Sequence, residues 1–434
     1  MNEVISNRVD EAQSKIIGWY RDFHRHPEPG WTEFRTGSIV VRELTRLGYE
    51  VKYGPEVIEE GAMMGVPSEK VLKEKQEQAV EQGGDPEIIA RMEGGKTGVV
   101  TTLDTGRPGP TLAFRVDMDA NEVNEAQDES HRPFAEGFSS VNKGIMHACG
   151  HDAHTAIGLG LAEVLMGVKD QLAGRIKIIF QPAEEGVRGA KSMMEAGVVD
   201  DVDVLIGVHV GTLARKLGMV IAGGGGFLAT TKLDATFRGE SSHAGGKPEA
   251  GKNALLAGAA AALNLHAISR HSSGTTRINV GTLMAGSGRN VIPDRAELKI
   301  ETRGSETHLN EYVRERSLKI LRGAADMYEV DLDVKEAGGA LGGEVDEELV
   351  QKIAGIAEEV PGVTEIQPHG SVGGSEDFTY FMSKVQERGG QATFTLVGTD
   401  VKGGHHNPYF DLQEEALPLA VKLLAEAARQ ITGS

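Results

Sequence analysis

A discontinuous α/β fold carrying a smaller inserted module is the architecture this 434-residue sequence predicts. Three observations predict it. Short apolar runs alternate with amphipathic stretches of helical length, the pattern of a sheet covered by helices. Between Thr230 and Lys335 the order becomes strand, helix, strand, strand, helix, strand, the split βαβ order of a ferredoxin-like module. Side chains able to bind metal lie at the ends of apolar runs on both sides of that module, so the chain must return to its first fold after leaving it.

Ile5, Val9, Ala12, Ile16, Trp19, Tyr20 and Phe23 recur at three- and four-residue steps. They predict an opening helix that stops at the turn-forming His26-Pro27-Glu28-Pro29-Gly30. A second helix is predicted over Thr32 to Leu47. Strands follow at Thr111 to Val116, Ile176 to Phe180 and Val204 to Val210, with a helix from Ala153 to Val168 among them. The inserted module reads as a strand ending at Phe237, a helix from Ala250 to Ser269, strands at Arg277 to Leu283 and Ala296 to Thr302, a helix from Glu306 to Met327 and a strand from Val330 to Lys335. The boundaries give a catalytic metal-binding domain, 1–228 with 340–434, and a lid or dimerisation domain, 229–339. Segment 54–97 is rich in Glu, Lys, Gln and Gly and reads as a solvated polar insertion rather than a wall of the substrate path. Pro67 and Ser68 are placed to start a short helix in it that ends near Gly83-Gly84.

Composition narrows the function. The 64 acidic against 45 basic residues leave a net charge of -19, which argues against a nucleic-acid partner. No apolar run approaches the roughly 20 residues that cross a bilayer. Met1-Asn2-Glu3-Val4 leads into charged residues instead of an apolar signal core, so a cytoplasmic protein without a membrane partner is expected. The single cysteine cannot form an internal disulfide.

That cysteine stands in His147-Ala148-Cys149-Gly150-His151-Asp152-Ala153-His154, and Phe180-Gln181-Pro182-Ala183-Glu184-Glu185-Gly186 follows. Thiolate and imidazole suit zinc, cobalt or iron, and carboxylates also admit manganese. A closed structural zinc site uses several cysteines in paired spacings, which one cysteine cannot supply, so the expected metal keeps an open, hydrolytic position. Glu184 and Glu185, taken as an extended strand end, should point apart, one to metal and one to substrate. His209 follows an apolar run and could be a core histidine, and His405 competes with His406 on physical grounds. Asp117 and Asp119 read as orienting carboxylates or as surface ones. A rival reading makes Cys149 the nucleophile of a thiol hydrolase with His147 or His151 as its base. A third is a non-catalytic assembly subunit.

Eight segments occur in a recognisable order: His24 to Glu28, Arg115 to Ala120, His147 to His154, Phe180 to Gly186, Gly207 to Val210, Asn290-Val291-Ile292-Pro293-Asp294, Ser375-Glu376-Asp377-Phe378 and His406-Asn407-Pro408. They resemble the successive signatures of the metal-dependent aminoacylase and carboxypeptidase G superfamily, in its amidohydrolase branch. The insertion after Gly54, His209-Val210-Gly211-Thr212 and Ser241 to Glu249 resemble the aminobenzoyl-glutamate hydrolases within that branch, in which two related kinds of subunit work side by side.

The resemblance implies two divalent cations, manganese first and zinc second, held by Cys149, His151, Glu185, His209 and His406. It implies Glu184 as general base, and His243 and Asn290 as donors to the scissile carbonyl supplied by a neighbouring subunit. The implied reaction is cleavage of an N-acyl or N-aroyl amino acid, p-aminobenzoyl-glutamate above all, by a homodimer or by a heterodimer with a related B subunit.

Overall fold

The computed structural model describes residues 1–433. In chain order its elements are α1 (Glu3–Arg25), α2 (Phe34–Arg46), β1 (Glu50–Tyr53), α3 (Glu69–Glu81), α4 (Pro86–Arg91), β2 (Val99–Asp104), β3 (Thr111–Asp117) and α5 (Arg132–Ala135). Then come α6 (His151–Gly167), β4 (Arg175–Gln181), α7 (Ala190–Glu195), β5 (Val204–Val210), β6 (Met219–Gly225), β7 (Ala229–Arg238), α8 (Ala254–His266), β8 (Thr276–Ala285) and β9 (Arg295–Gly304). The chain ends through α9 (Thr307–Met327), β10 (Asp331–Ala340), α10 (Glu347–Glu358), β11 (Glu365–Ser371), α11 (Phe378–Glu387), β12 (Gln391–Val397) and α12 (Ala416–Thr432).

Two compact units result. The first comprises Met1–Gly225, Glu344–Val372 and Tyr380–Ser434, and the second Gly226–Gly343 with Gly373–Thr379. Nothing in the local sequence marks Gly373–Thr379 as part of the second unit.

The first unit is built on a mixed eight-stranded sheet in the order β1-β2-β4-β3-β5-β12-β6-β11. β3 runs parallel to both β4 and β5, and β5 runs parallel to β12. These four neighbours therefore open toward the same edge with their carboxyl ends, where α/β sheets build their sites. α1 starts on Asn2, whose side chain accepts from the amides of Val4 and Ile5, a cap worth about 1 kcal/mol. Its stripe from Ile5 to Phe23 is buried in the main core. α6 lies buried along most of its length and packs on α1, α12 and β3.

The 54–97 segment departs from its solvated reading. Ser68 caps α3, but Leu72, Ala79, Ile89 and Met92 join the main core, and Trp31 Nε1 donates to Met64 O at 2.7 Å. A polar composition hid four buried apolar side chains spaced to face inward.

The second unit is a four-stranded antiparallel sheet, β10-β7-β9-β8, with α8 and α9 packed on it. Its own core gathers Leu233, Phe237, Ala257, Ala261, Leu298, Ile300, Val313 and Leu321. α8 begins four residues later than the sequence pattern predicts, because Asn253 accepts from Leu256 N and caps it there.

Candidate metal centre

The carboxyl-end edge of the first sheet collects side chains able to bind metal. β3 leads to Asp117 and Asp119, β4 to Glu184 and Glu185, β5 carries His209, β12 leads to His405 and His406, and α6 begins at His151. Gly150 caps α6 at φ 92°, and a Cβ there would meet Val210 Cγ2 at 2.8 Å, so the tight entry that sets Cys149 beside His151 requires glycine.

Three overlapping groups form: Cys149 with His151 and His209, Cys149 with Glu185 and His406, and His151 with Glu184 and Glu185. Within each, the ligand atoms lie within 4.8 Å of one another. Cys149 belongs to the first two groups, so its sulfur can serve two cations at once. The distances are 3.6 Å from Cys149 Sγ to His209 Nε2 and 3.2 Å from His406 Nε2 to Glu185 Oε1. His151 Nε2 stands 3.9 Å from Glu184 Oε2.

The glutamate pair corrects one expectation. Glu184 and Glu185 do not diverge from a strand: Gln181 is the last strand residue, Ala183 turns left-handed at φ 52°, and both glutamates sit in a turn with their carboxylates toward His151. Asp119 causes this, its Oδ1 accepting Glu184 N–H and its Oδ2 accepting Glu185 N–H, each at 2.9 Å. Neither Asp117 nor Asp119 is a surface group; both are buried.

Hydrogen bonds settle which lone pairs face the centre. His209 Nδ1 donates to Val210 O at 2.8 Å, which leaves its Nε2 lone pair beside Cys149, the tautomer a metal ligand needs. His154 is spoken for: Nε2 accepts Val210 N–H at 2.9 Å and Nδ1 donates to Asp117 Oδ1. His405 Nε2 accepts Thr212 N–H at 3.0 Å, so its Nδ1 carries the proton and faces Cys149 Sγ at 3.6 Å. That occupies His405 as a support for the sulfur, while His406 Nε2 faces the Glu185 carboxylate within the second group.

The residues fit divalent cations on an independent count. The buried ring nitrogens of His151 and the buried Glu185 Oε1 make no hydrogen bond, a costly state that a cation relieves. Burial, then Asp117, Asp119 and Cys149, act on His151, and the neighbours outweigh burial to hold its pKa well above the usual value. Burial opposes the charge on Glu185, but His406 and His151 hold it down at about 2. Burial and then Glu185 push the Cys149 thiol up to about 12. A cation that exchanges for that proton reverses the shift. A nucleophilic cysteine needs a lowered pKa, so the thiol-hydrolase reading has no support in this environment.

Left-handed backbone clusters around the centre at Ala183, Val187 (φ 59°), Thr212 (φ 54°) and His406 (φ 59°). Each costs on the order of 1 kcal/mol or more, and strain concentrated in this way marks sites whose geometry is imposed by function.

Two supports reach the site from the start of the chain. Glu33 accepts Ala183 N–H at 2.7 Å and a hydrogen bond from Thr97 Oγ1 at 2.6 Å, and burial followed by the Asp119 charge raises its pKa to about 8. Only the fold brings it to the turn. His24 bonds Asp152 Oδ2 at 2.7 Å and Glu125 Oε1 at 2.9 Å, tying α1 to the first turn of α6. Burial works against its charge, yet the two carboxylates raise its pKa to about 10.

The second unit places the other two candidates side by side. His243 pairs with Val291 in an isolated bridge, and Ala244 N–H donates to Asn290 O at 3.0 Å. Both side chains are exposed. His243 Nδ1 accepts from Gly245 N at 3.1 Å and Gly246 N at 2.9 Å, so the proton sits on Nε2 and points outward.

Residues 113–430 match the model of peptidase family M20/M25/M40. The chain is 50% identical to the A-type chain of p-aminobenzoyl-glutamate hydrolase from Escherichia coli (strain K12), over 98% of each. It is 49% identical to indole-3-acetyl-aspartic acid hydrolase of Enterobacter agglomerans, over 99% of this chain and 97% of that one. The crystal structure of an aminobenzoyl-glutamate utilization protein from Klebsiella pneumoniae superposes with a TM-score of 0.85 at 44% identity, covering 98% of both chains.

Proposed function

The protein belongs to peptidase family M20/M25/M40, and on that premise we propose that it hydrolyses the amide joining an aroyl or acyl group to an acidic amino acid, with p-aminobenzoyl-glutamate as substrate. The observation that carries this reading is the pair of ligand groups sharing Cys149 beside Glu184. Two similar proteins bear names that describe cleavage of a glutamate and an aspartate conjugate, which supports an acidic leaving group.

In this reading Cys149, His151, Glu185, His209 and His406 hold two divalent cations, of which manganese is the working choice and zinc the alternative. Cations held there would supply acidification of water and polarisation of the carbonyl. Glu184 takes the proton from the attacking water and returns it to the departing nitrogen. Supplied by a neighbouring subunit, His243 offers Nε2–H, and Asn290 its amide, to the carbonyl oxygen as charge gathers on it.

We assign the second unit the roles of lid and pairing surface. Leu256 and Leu263, seven residues apart on one face of α8, are 44% and 76% exposed, an apolar stripe suited to a second copy or to a related B subunit. The working location is the cytoplasm, and no helix among the described residues is long and apolar enough to cross a membrane.

Incubating the purified chain with p-aminobenzoyl-glutamate and manganese tests the proposal. Release of p-aminobenzoate that chelator abolishes, added manganese restores and prior alkylation in the presence of metal leaves intact supports it. Turnover that survives chelation but not alkylation overturns it. No turnover from metal-loaded chain, restored by a B subunit, favours the non-autonomous form.

A further inference from the structure

The first unit contains a cleft of about 460 Å³ whose lining joins Glu185 of the metal centre to Pro67, Val71 and Lys75 of the 54–97 segment and to Arg188. That volume is of the size that holds a small conjugate. Val71 and Lys75 stand four apart on α3 and so share one helix face. Their placement is firm: Leu72 and Ala79, on the adjoining face of α3, are buried in the core, and Gln78 and Gln82 donate to Asn142 Oδ1 at 2.8 and 2.7 Å.

The charges are the unusual feature. Lys75 Nζ donates to Gln78 Oε1 at 2.8 Å and, among the described residues, pairs with no carboxylate. Arg188 Nε donates to Glu185 O at 2.9 Å and Nη1 to Gly65 O at 3.2 Å, again without a carboxylate partner. The guanidinium is thus braced between the glutamate turn and the insertion, with donors to spare. Gly30 makes room for it, since a Cβ there would meet Arg188 Nη2 at 2.3 Å and Ala183 Cα at 2.9 Å. The cleft's two carboxylates are Glu122 and, from the metal centre, Glu185, and neither pairs with Lys75 or Arg188, so two half-buried cations in a chain of net charge -19 are free to meet an anion.

Resting on the hydrolase reading, we propose that this cleft receives the side chain of the departing amino acid, and that Lys75 with Arg188 selects substrates carrying a second, side-chain carboxylate. The apolar walls from Pro67, Val71 and Ile145 suit the methylenes between that carboxylate and the scissile amide. The neutral p-aminobenzoyl end offers these cations nothing, so the charged end takes the cleft. The insertion is then a specificity element, and a neutral isostere of the side chain loses its anchor.

The test compares p-aminobenzoyl-glutamate with p-aminobenzoyl-glutamine. kcat/KM for both is measured on the wild-type chain, Lys75→Gln, Lys75→Met and Lys75→Glu, and calorimetry measures binding of both to Glu184→Gln with and without Lys75→Met. The wild type prefers the glutamate conjugate. Lys75→Gln and Lys75→Met reduce that preference about 10- to 100-fold, mainly through KM, the loss of one charge-assisted contact, and Lys75→Glu reduces it further. A preference within twofold of wild type in all three variants overturns the assignment. Failure of the wild type to cleave either compound removes the hydrolase reading alone, because the binding preference of Glu184→Gln, and its loss with Lys75→Met, still decides the subsite.

Discussion

The metal centre and the His243–Asn290 pair present opposite ways of holding polar side chains. In the first unit several candidate ligands are held from behind: Asp119 clamps both glutamate amides, His154 and Val210 frame His209, and His405 faces the sulfur. In the second unit His243 and Asn290 stand exposed on two bridged loops, with only the His243 tautomer fixed locally. The difference teaches where each group's work lies. Ligands braced by buried neighbours and by strained backbone are set for ions that tolerate errors of a few tenths of an ångström. Exposed donors on loops are set for something that arrives later.

Substitutions should separate the two regions. Glu184→Gln is expected to lower kcat by roughly a hundred- to ten-thousand-fold with both metals retained; near-normal turnover with full metal content would remove its role as base. His243→Ala should lower kcat by about a hundred- to a thousand-fold while leaving metal affinity and thermal midpoint at wild-type values. If it releases metal, the contrast between the regions breaks. Asp119→Ala should act the other way, weakening metal affinity by about 10- to 100-fold in equilibrium competition with a chelating dye, because the turn bearing Glu184 and Glu185 loses both its amide acceptors.

The smallest expected effect concerns the His24 network. His24 has its folded pKa raised from 6.5 to about 10, so its contribution is complete below pH 6.5 and fades as pH rises toward 10. Glu125, opposed by burial but held by His131 and His24, is lowered from 4.5 to about 2, so its share is present above pH 4.5 and fades toward 2. The stability difference between wild type and His24→Asn in urea unfolding should therefore narrow on both sides of that window. A difference independent of pH from 5 to 10 would contradict the ionised network.

Much of this was legible in the sequence because it rests on local pattern. The α1 stripe, the six-element order of the inserted unit and the ligands bordering apolar runs all announce themselves by period or by spacing. What was not legible depends on distant residues. The turn of Glu184 and Glu185 is set by Asp119, 65 positions away, and Glu33 reaches Ala183 across 150. The 54–97 segment misled because buried Leu72 and Ala79 are few among many charges, and composition averages them away. His154 could have been found, since it lies three residues after His151 on the same helix face.

Metal stoichiometry measures the central claim most directly. Elemental analysis of the chain reconstituted with manganese and freed of excess should give two ions per chain, and Cys149→Ser should fall to one or fewer with loss of amide hydrolysis. One ion in the wild type, or two in Cys149→Ser with activity intact, would contradict a centre built on a shared sulfur.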